Sequence, residues 1–167
     1  MKFTQTPKLI LAVALAWPFA AIGQDNTELG IEGKVVAETI FQTLDASKDG
    51  KIHMGDIETY RDSVFAGMDT DTNGKVIYDE FSAWDPGFVF VAEDVGRKDA
   101  YTTASKIVFA FWDRNGDQEL TDKEMRLSMS ADFRRADLDD DGFLTQDEFI
   151  GGFPIIVAMR AAIRPDL

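Results

Sequence analysis

The chain has 167 residues, a net charge of −13, one histidine and no cysteine, and 45% of its residues are hydrophobic. That size and apolar content support one domain with a buried core, not an acidic disordered tail. Without cysteine there is no disulfide framework, thiolate nucleophile or zinc–thiolate site, and the acidic excess disfavours nucleic-acid backbones and anionic membranes as partners.

The chain opens with Lys2 and Lys8, an apolar run from Leu9 to Trp17, and the small-x-small sequence Ala21-Ile22-Gly23. This pattern predicts a secretory signal peptide over residues 1–23, cleaved after Gly23, with an uncleaved anchor as the alternative. The run is short for a bilayer span, so no stable membrane span is expected after cleavage. No cysteine follows it, so lipidation is not indicated. The expected location is periplasmic or secreted, and the short basic start favours a bacterial periplasm. The mature chain, residues 24–167, reads as one domain. Losing the two lysines leaves 15 basic against 30 acidic residues, a charge of −15.

Val36, Ile40, Phe41 and Leu44 recur at helical spacing. They lead into Asp45-Ala-Ser-Lys-Asp-Gly-Lys-Ile-His-Met-Gly-Asp56. A second apolar helical face, Ile57, Tyr60, Val64, Phe65 and Met68, precedes Asp69-Thr-Asp-Thr-Asn-Gly-Lys-Val-Ile-Tyr-Asp-Glu80. Residues 82–103 are an insertion. Asp85-Pro86-Gly87 reads as a turn, Phe88–Val91 is ambiguous between strand and helix, and Asp99 reads as the N-cap of a helix running to Trp112. The insertion reads mainly as a buried connector. Asp113-Arg-Asn-Gly-Asp-Gln-Glu-Leu-Thr-Asp-Lys-Glu124 follows, then the apolar face Met125, Met129, Phe133 and Ala136, then Asp137-Leu-Asp-Asp-Asp-Gly-Phe-Leu-Thr-Gln-Asp-Glu148. Gly151-Gly152 should end the next helix and Pro154 should open another. That last helix carries Ile155, Ile156, Met159, Ala162 and Ile163 on one face, and Arg160 and Arg164 suit docking back onto an acidic body.

The four twelve-residue stretches are one repeated unit. Each has a Phe four residues before its first Asp (Phe41, Phe65, Phe109, Phe133) and an aliphatic residue at its eighth position (Ile52, Val76, Leu120, Leu144). Oxygen donors fall at the first, third, fifth and twelfth positions, which is the chemistry a hard cation such as Ca²⁺ requires, six to eight oxygens at about 2.3–2.6 Å. In the fourth stretch the candidate ligands are Asp137, Asp139, Asp141, the Phe143 carbonyl, Thr145 and Glu148. In the second they are Asp69, Asp71, Asn73, the Lys75 carbonyl and Glu80. In the third they are Asp113, Asn115, Asp117, the Glu119 carbonyl and Glu124. In the first they are Asp45, Ser47, Asp49, the Lys51 carbonyl and Asp56.

These residues resemble the EF-hand loop, most closely in the fourth copy, D-x-D-x-D-G-x₅-E. The resemblance implies an all-α EF-hand fold of four helix–loop–helix units with short β-contacts between paired loops. The loops start 24 residues apart within each half, from Asp45 to Asp69 and from Asp113 to Asp137. That leaves room for a single helix shared by two loops. A helix from Met54 to Met68 would be roughly 22 Å long, which separates its two loops. The first loop is therefore expected to pair with the fourth and the second with the third, unless the helix breaks near Asp62-Ser63. This short spacing resembles bacterial lanmodulin, whose loops carry Pro second and Asp ninth. Here Ala46, Thr70, Arg114 and Leu138 stand second, and His53, Ile77, Thr121 and Thr145 stand ninth, so the resemblance does not carry lanthanide selectivity with it.

Ligand chemistry ranks the loops. The fourth should bind most tightly and the second next. The third has Gln118 where a left-handed Gly is wanted, a handicap on the order of 1 kcal/mol. The first is weakest, because Ser47 replaces an acid and Asp56 is a methylene shorter than Glu. Mg²⁺ is an alternative ion there, and His53 is expected to face solvent. No nucleophile motif, phosphate loop or histidine metal site is present, so the expected role is non-catalytic: a Ca²⁺ buffer, sensor or Ca²⁺-stabilised adaptor. The adaptor alternative makes Ca²⁺ purely structural, with the insertion or the tail meeting a protein partner.

Overall fold

The computed structural model describes residues 26–164, with side chains from residue 32 onward. The signal segment and its cleavage point lie outside the described residues. Helix α1 (Asn26–Leu44) runs into the first loop, whose end forms strand β1 (Ile52–His53). Then come α2 (Met54–Met68), β2 (Lys75–Ile77), α3 (Tyr78–Ala83), α4 (Phe88–Asp94) and α5 (Lys98–Trp112). The second half follows as β3 (Glu119–Thr121), α6 (Asp122–Ala136), β4 (Phe143–Leu144), α7 (Gln146–Gly152) and α8 (Pro154–Ile163).

Helix α2 continues unbroken through Asp62-Ser63, and α6 matches it in the second half at 15 residues each. Each carries a loop at both ends. The two shared helices pack on one another. Arg61 of α2 is buried between them, and its guanidinium pairs with Asp62 and with Asp122 at the start of α6. A buried cation needs such partners, because its desolvation is otherwise prohibitive.

Loop pairing follows from this separation. Ile52 lies opposite Leu144 and His53 opposite Phe143 in one antiparallel bridge. Lys75, Val76 and Ile77 lie opposite Thr121, Leu120 and Glu119 in the other. The fold is thus the all-α EF-hand arrangement, with helices shared within each half and loops paired 1–4 and 2–3 between halves. The four eighth-position aliphatics are fully buried. Phe41, Phe109 and Phe133 are buried with them, as are Met125, Met129 and Ala136, so the methionines serve the core. Phe65 is half-buried against that core.

The insertion is helical where periodicity left strand and helix open. Asp85 decides it: its carboxylate accepts the amides of Gly87 (2.9 Å), Phe88 (3.1 Å) and Val89 (3.1 Å), satisfying the orphan donors at the start of α4. The Tyr101 hydroxyl donates to the same carboxylate at 2.8 Å. Asp99 is not the N-cap of α5. Arg97 occupies that position, and Asp99 sits in the first turn, where a negative charge still suits the helix dipole.

The C-terminal helix docks back onto the body. Helix α7 ends at Gly152 and α8 begins at Pro154. Phe153, Ile156, Met159 and Ile163 are buried against α5, α1 and α4. The Arg97 guanidinium donates to the Ala162 and Arg164 carbonyls at 3.2 and 3.3 Å, and so caps the end of α8. Arg160 donates to the Ile150 carbonyl at 2.8 Å. An apolar cavity of about 60 Å³ remains beneath the helix, bordered by Ile57, Trp112, Met125, Ile156 and Met159 among others. Among the described residues no helix is long and apolar enough to cross a membrane.

Candidate metal centres

Each loop is first a solution to a backbone problem. The chain must reverse between two helices, leaving amides that need acceptors. The leading aspartate supplies them. Asp45 accepts the amides of Asp49 and Gly50 at 3.1 and 2.9 Å. Asp69 accepts those of Asn73 and Gly74 at 3.0 and 2.9 Å. Asp137 accepts those of Asp141 and Gly142, both at 3.1 Å. This wraps the loop around one point and turns the remaining oxygens towards it.

The third loop is built one residue differently. Asp113 accepts the amides of Gly116 at 2.8 Å and Gln118 at 2.9 Å. All four loops hold positive φ at the fourth and sixth positions. Lys48, Thr72 and Asp140 stand at the fourth position with a glycine at the sixth, whereas the third loop puts Gly116 fourth and Gln118 sixth. Every loop therefore carries one glycine and one strained non-glycine. The handicap assigned to Gln118 is real but matched elsewhere in each of the other loops, and it does not single out the third.

At the far end of the second and fourth loops the twelfth-position glutamate closes the ring. Glu80 accepts the Ile77 amide on one oxygen, and the Thr70 amide (2.9 Å) and hydroxyl (2.7 Å) on the other. Glu148 accepts the Thr145 amide (2.9 Å) and hydroxyl (2.8 Å) on one oxygen and the Leu138 amide (3.1 Å) on the other. Thr145 and Thr121 also accept the amides of Glu148 and Glu124, so the same residues form capping boxes that start α7 and α6. The Thr70 hydroxyl and then the Ile77 amide hold the Glu80 carboxyl below its ordinary range. The Thr145 amide and hydroxyl do the same for Glu148. Both glutamates are thereby kept ionised, the state a cation needs.

Two oxygens bound to one Ca²⁺ can lie no more than about 5 Å apart. Asp69, Asp71 and Glu80 each offer an oxygen within 4.8 Å of the others, and so do Asp137, Asp139 and Glu148. Among the described residues these are the two acidic sets that converge in this way. They are hard carboxylate oxygen donors on a tightly wound turn, and they fit a divalent cation. Asn73 and Asp141 stand at the fifth positions beside these sets. The Lys75 and Phe143 carbonyls stand at the seventh, on β2 and β4.

In the first loop Asp49 is engaged by a side chain of its own loop, and Asp56 takes the ninth-position amide as Glu80 and Glu148 do. The His53 ring nitrogen lies 2.9 Å from Asp49 Oδ2, and Asp56 accepts the His53 amide at 2.8 Å. His53 is in part solvent-facing, as expected, with 39% of its side chain exposed, and its ring stands edge-on to Phe143 with centroids 4.6 Å apart. The Ser47 hydroxyl turns to Asp45 at 3.3 Å. In the third loop Asn115 donates to Asp117 at 2.9 Å, and Glu124 is held by Thr121; the Glu119 carbonyl stands on β3.

Three features escape a reading of the loops alone. The Trp112 indole donates to Asp132, which is wholly buried, at 3.1 Å. Asp132 is also paired with Arg135 at 2.7 Å. Lys75 pairs with Glu119 across β2 and β3, and Lys51 reaches Asp141 at 3.3 Å across the other bridge. All three need the tertiary fold to be seen: the lysines at the seventh position of two loops are visible in the sequence, but the partners they reach are not.

No family model matches the chain. A plant protein, "Probable calcium-binding protein CML34" of Arabidopsis thaliana, is 27% identical over 138 residues, covering 68% of this chain and 93% of that protein.

Proposed function

We propose that this is an exported, non-catalytic Ca²⁺-binding protein whose second and fourth loops hold the principal ions. The observation that carries the reading is the convergence of Asp69, Asp71 and Glu80, and of Asp137, Asp139 and Glu148, each within the span of one shared cation. Similarity to a plant protein named for calcium binding supports the choice of ion. Asp69, Asp71, Asn73, the Lys75 carbonyl and Glu80 would hold one ion. Asp137, Asp139, Asp141, the Phe143 carbonyl, Thr145 and Glu148 would hold the other. The third and first loops bind more weakly, and the first is open to Mg²⁺. Bound ions neutralise carboxylates that otherwise repel, so binding is coupled to stability.

Titration calorimetry of the mature protein tests this. The wild type should bind Ca²⁺ at two or more sites, and the joint substitution Glu80→Gln and Glu148→Gln should remove the tightest two. Equal binding by both proteins would overturn the assignment. Export is tested separately, by N-terminal sequencing of protein recovered outside the cytoplasm; a chain retaining residues 1–23 would refute cleavage after Gly23.

One observation favours the adaptor form of this reading. Phe90 on α4 is 74% exposed, and with Val35 of α1 it borders a shallow apolar groove. The insertion, not the buried tail, is then the partner surface. Phe90→Ser should abolish Ca²⁺-dependent partner capture while leaving Ca²⁺ titration unchanged.

A further inference from the structure

The fifth-position side chain of each loop uses one oxygen to accept the seventh-position amide. The distances are 3.0 Å from Lys51 to Asp49, 2.8 Å from Lys75 to Asn73, 3.0 Å from Glu119 to Asp117 and 2.9 Å from Phe143 to Asp141. The loops differ in what meets its other polar atom. In the first, second and third loops the partner comes from the same loop: His53 on Asp49, Asp71 on Asn73, Asn115 on Asp117. In the fourth it comes from elsewhere. The Lys51 ammonium of the first loop lies 3.3 Å from Asp141 Oδ2, and the same nitrogen stands over the Phe143 ring, 4.4 Å from its centroid.

Lys75 makes the instructive contrast. It stands at the same position of the second loop and also reaches across a β-bridge, but it ends on Glu119. That residue offers its loop a backbone carbonyl, so its carboxylate is not in the ligand set. Lys51 ends on a carboxylate that is in the ligand set. The register explains the difference. β1 and β4 pair Ile52 with Leu144 and His53 with Phe143, which leaves Lys51 just beyond the bridge and directed at the turn of the fourth loop. Lys75 lies within its bridge, opposite Thr121.

We propose that Lys51 is a built-in competitor for the fourth site: its ammonium takes the Asp141 carboxylate that a divalent ion must recruit, so ion binding there requires its release. Lys51 also supplies the seventh-position carbonyl of the first loop. An ion in the first loop fixes the backbone from which the competing ammonium is presented, and the first and fourth sites regulate each other through one residue. This deepens, and rests on, the reading of the fourth loop as a Ca²⁺ site. Both side chains are about 40% exposed (40% and 37%), so the effect is that of a partly screened pair, about two- to fivefold in affinity.

The test uses Lys51→Met, which keeps an unbranched side chain and removes the ammonium from both Asp141 and the Phe143 face, beside Lys75→Met as the charge-matched control. The amide signals of Gly142, Gly74, Gln118 and Gly50 report the four loops separately during Ca²⁺ titration. Lys51→Met should tighten the Gly142 transition about two- to fivefold, and Lys75→Met should move no transition by as much. Equal shifts for both variants would show general charge removal and overturn the proposal, as would no shift. A second arm needs no ion. In chelator, Lys51→Met should lower the melting temperature in the wild-type background, and by less in an Asp141→Asn background, where only the Phe143 contact is left to lose. A zero coupling in that cycle refutes the contact itself. If the wild type shows no Gly142 response to Ca²⁺, the calcium reading fails, and the chelator cycle still decides the contact.

Discussion

Ile52 and Leu144 face one another across an antiparallel bridge, both fully buried, and they join the first loop of the chain to its last. Because Val76 and Leu120 do the same for the inner loops, no half of the chain contains a complete loop pair. Each half instead contributes one strand to each bridge.

Cleavage at Gly96 should therefore not yield two working domains. Fragments 24–96 and 97–167 are each expected to show weak helicity and no cooperative melting alone, and to recover both when mixed in equal amounts. Circular dichroism and sedimentation check this. A half that folds and binds Ca²⁺ like the intact protein would contradict the cross-paired fold.

The third loop tests how the left-handed positions are shared. Gln118→Gly should stabilise the protein by up to about 1 kcal/mol by relieving positive φ at a non-glycine, and Gly116→Ala should cost about 1 kcal/mol or more. Urea denaturation measures both. Opposite signs are the expected signature; two destabilisations would mean that Gln118 makes a compensating contact.

Trp112 and Asp132 form a polar contact inside the core. Burial holds the Asp132 carboxyl above its ordinary range, outweighing the Trp112 indole and Arg135 that favour its charge. Asp132→Ala leaves the indole N–H without an acceptor, a loss of about 1–3 kcal/mol. At about 2–4 °C per kcal/mol that is a fall of several degrees in melting temperature, with a shift in Trp emission. Asp132→Asn keeps an acceptor and should cost much less. Equal effects would show that charge, not the hydrogen bond, matters there.

Glu80 and Glu148 set an acid limit. Their folded values lie below the unfolded carboxylate range of about 4.3. Their contribution to stability is thus fully present above that range and is lost as pH falls through the lowered folded values. Ion-free melting temperature should decline below about pH 4.3, and less steeply in the joint Glu80→Gln, Glu148→Gln protein. Identical pH profiles would remove this role.

Helix α8 is part of the core and not a dispensable tail. Deleting residues 153–167 exposes the seats of Phe153, Ile156, Met159 and Ile163, each worth about 1.5–3 kcal/mol when fully buried. The truncated protein should bind a hydrophobic dye and lose cooperative melting. Arg97→Gln, which removes only the cap on Ala162 and Arg164, should cost about 1 kcal/mol with no dye binding.

The sequence by itself determined the repeat, the apolar faces and even the pairing of loops, and it named the candidate donors. All of these follow from local spacing: a loop of twelve, a shared helix too long for its two loops to meet, and a Phe and an aliphatic residue that recur in phase. The tertiary structure decided what depends on groups distant in the chain. It showed that Asp85, and not the apolar run it precedes, makes Phe88–Asp94 a helix, since capping three amides outweighs a strand-like composition. It placed Asp132 under Trp112, and it set Gly116 against Gln118 as two halves of one conformational demand. It brought Lys51 to Asp141, because the register of two short strands fixes where a flexible side chain ends, and spacing along the chain carries no record of that meeting.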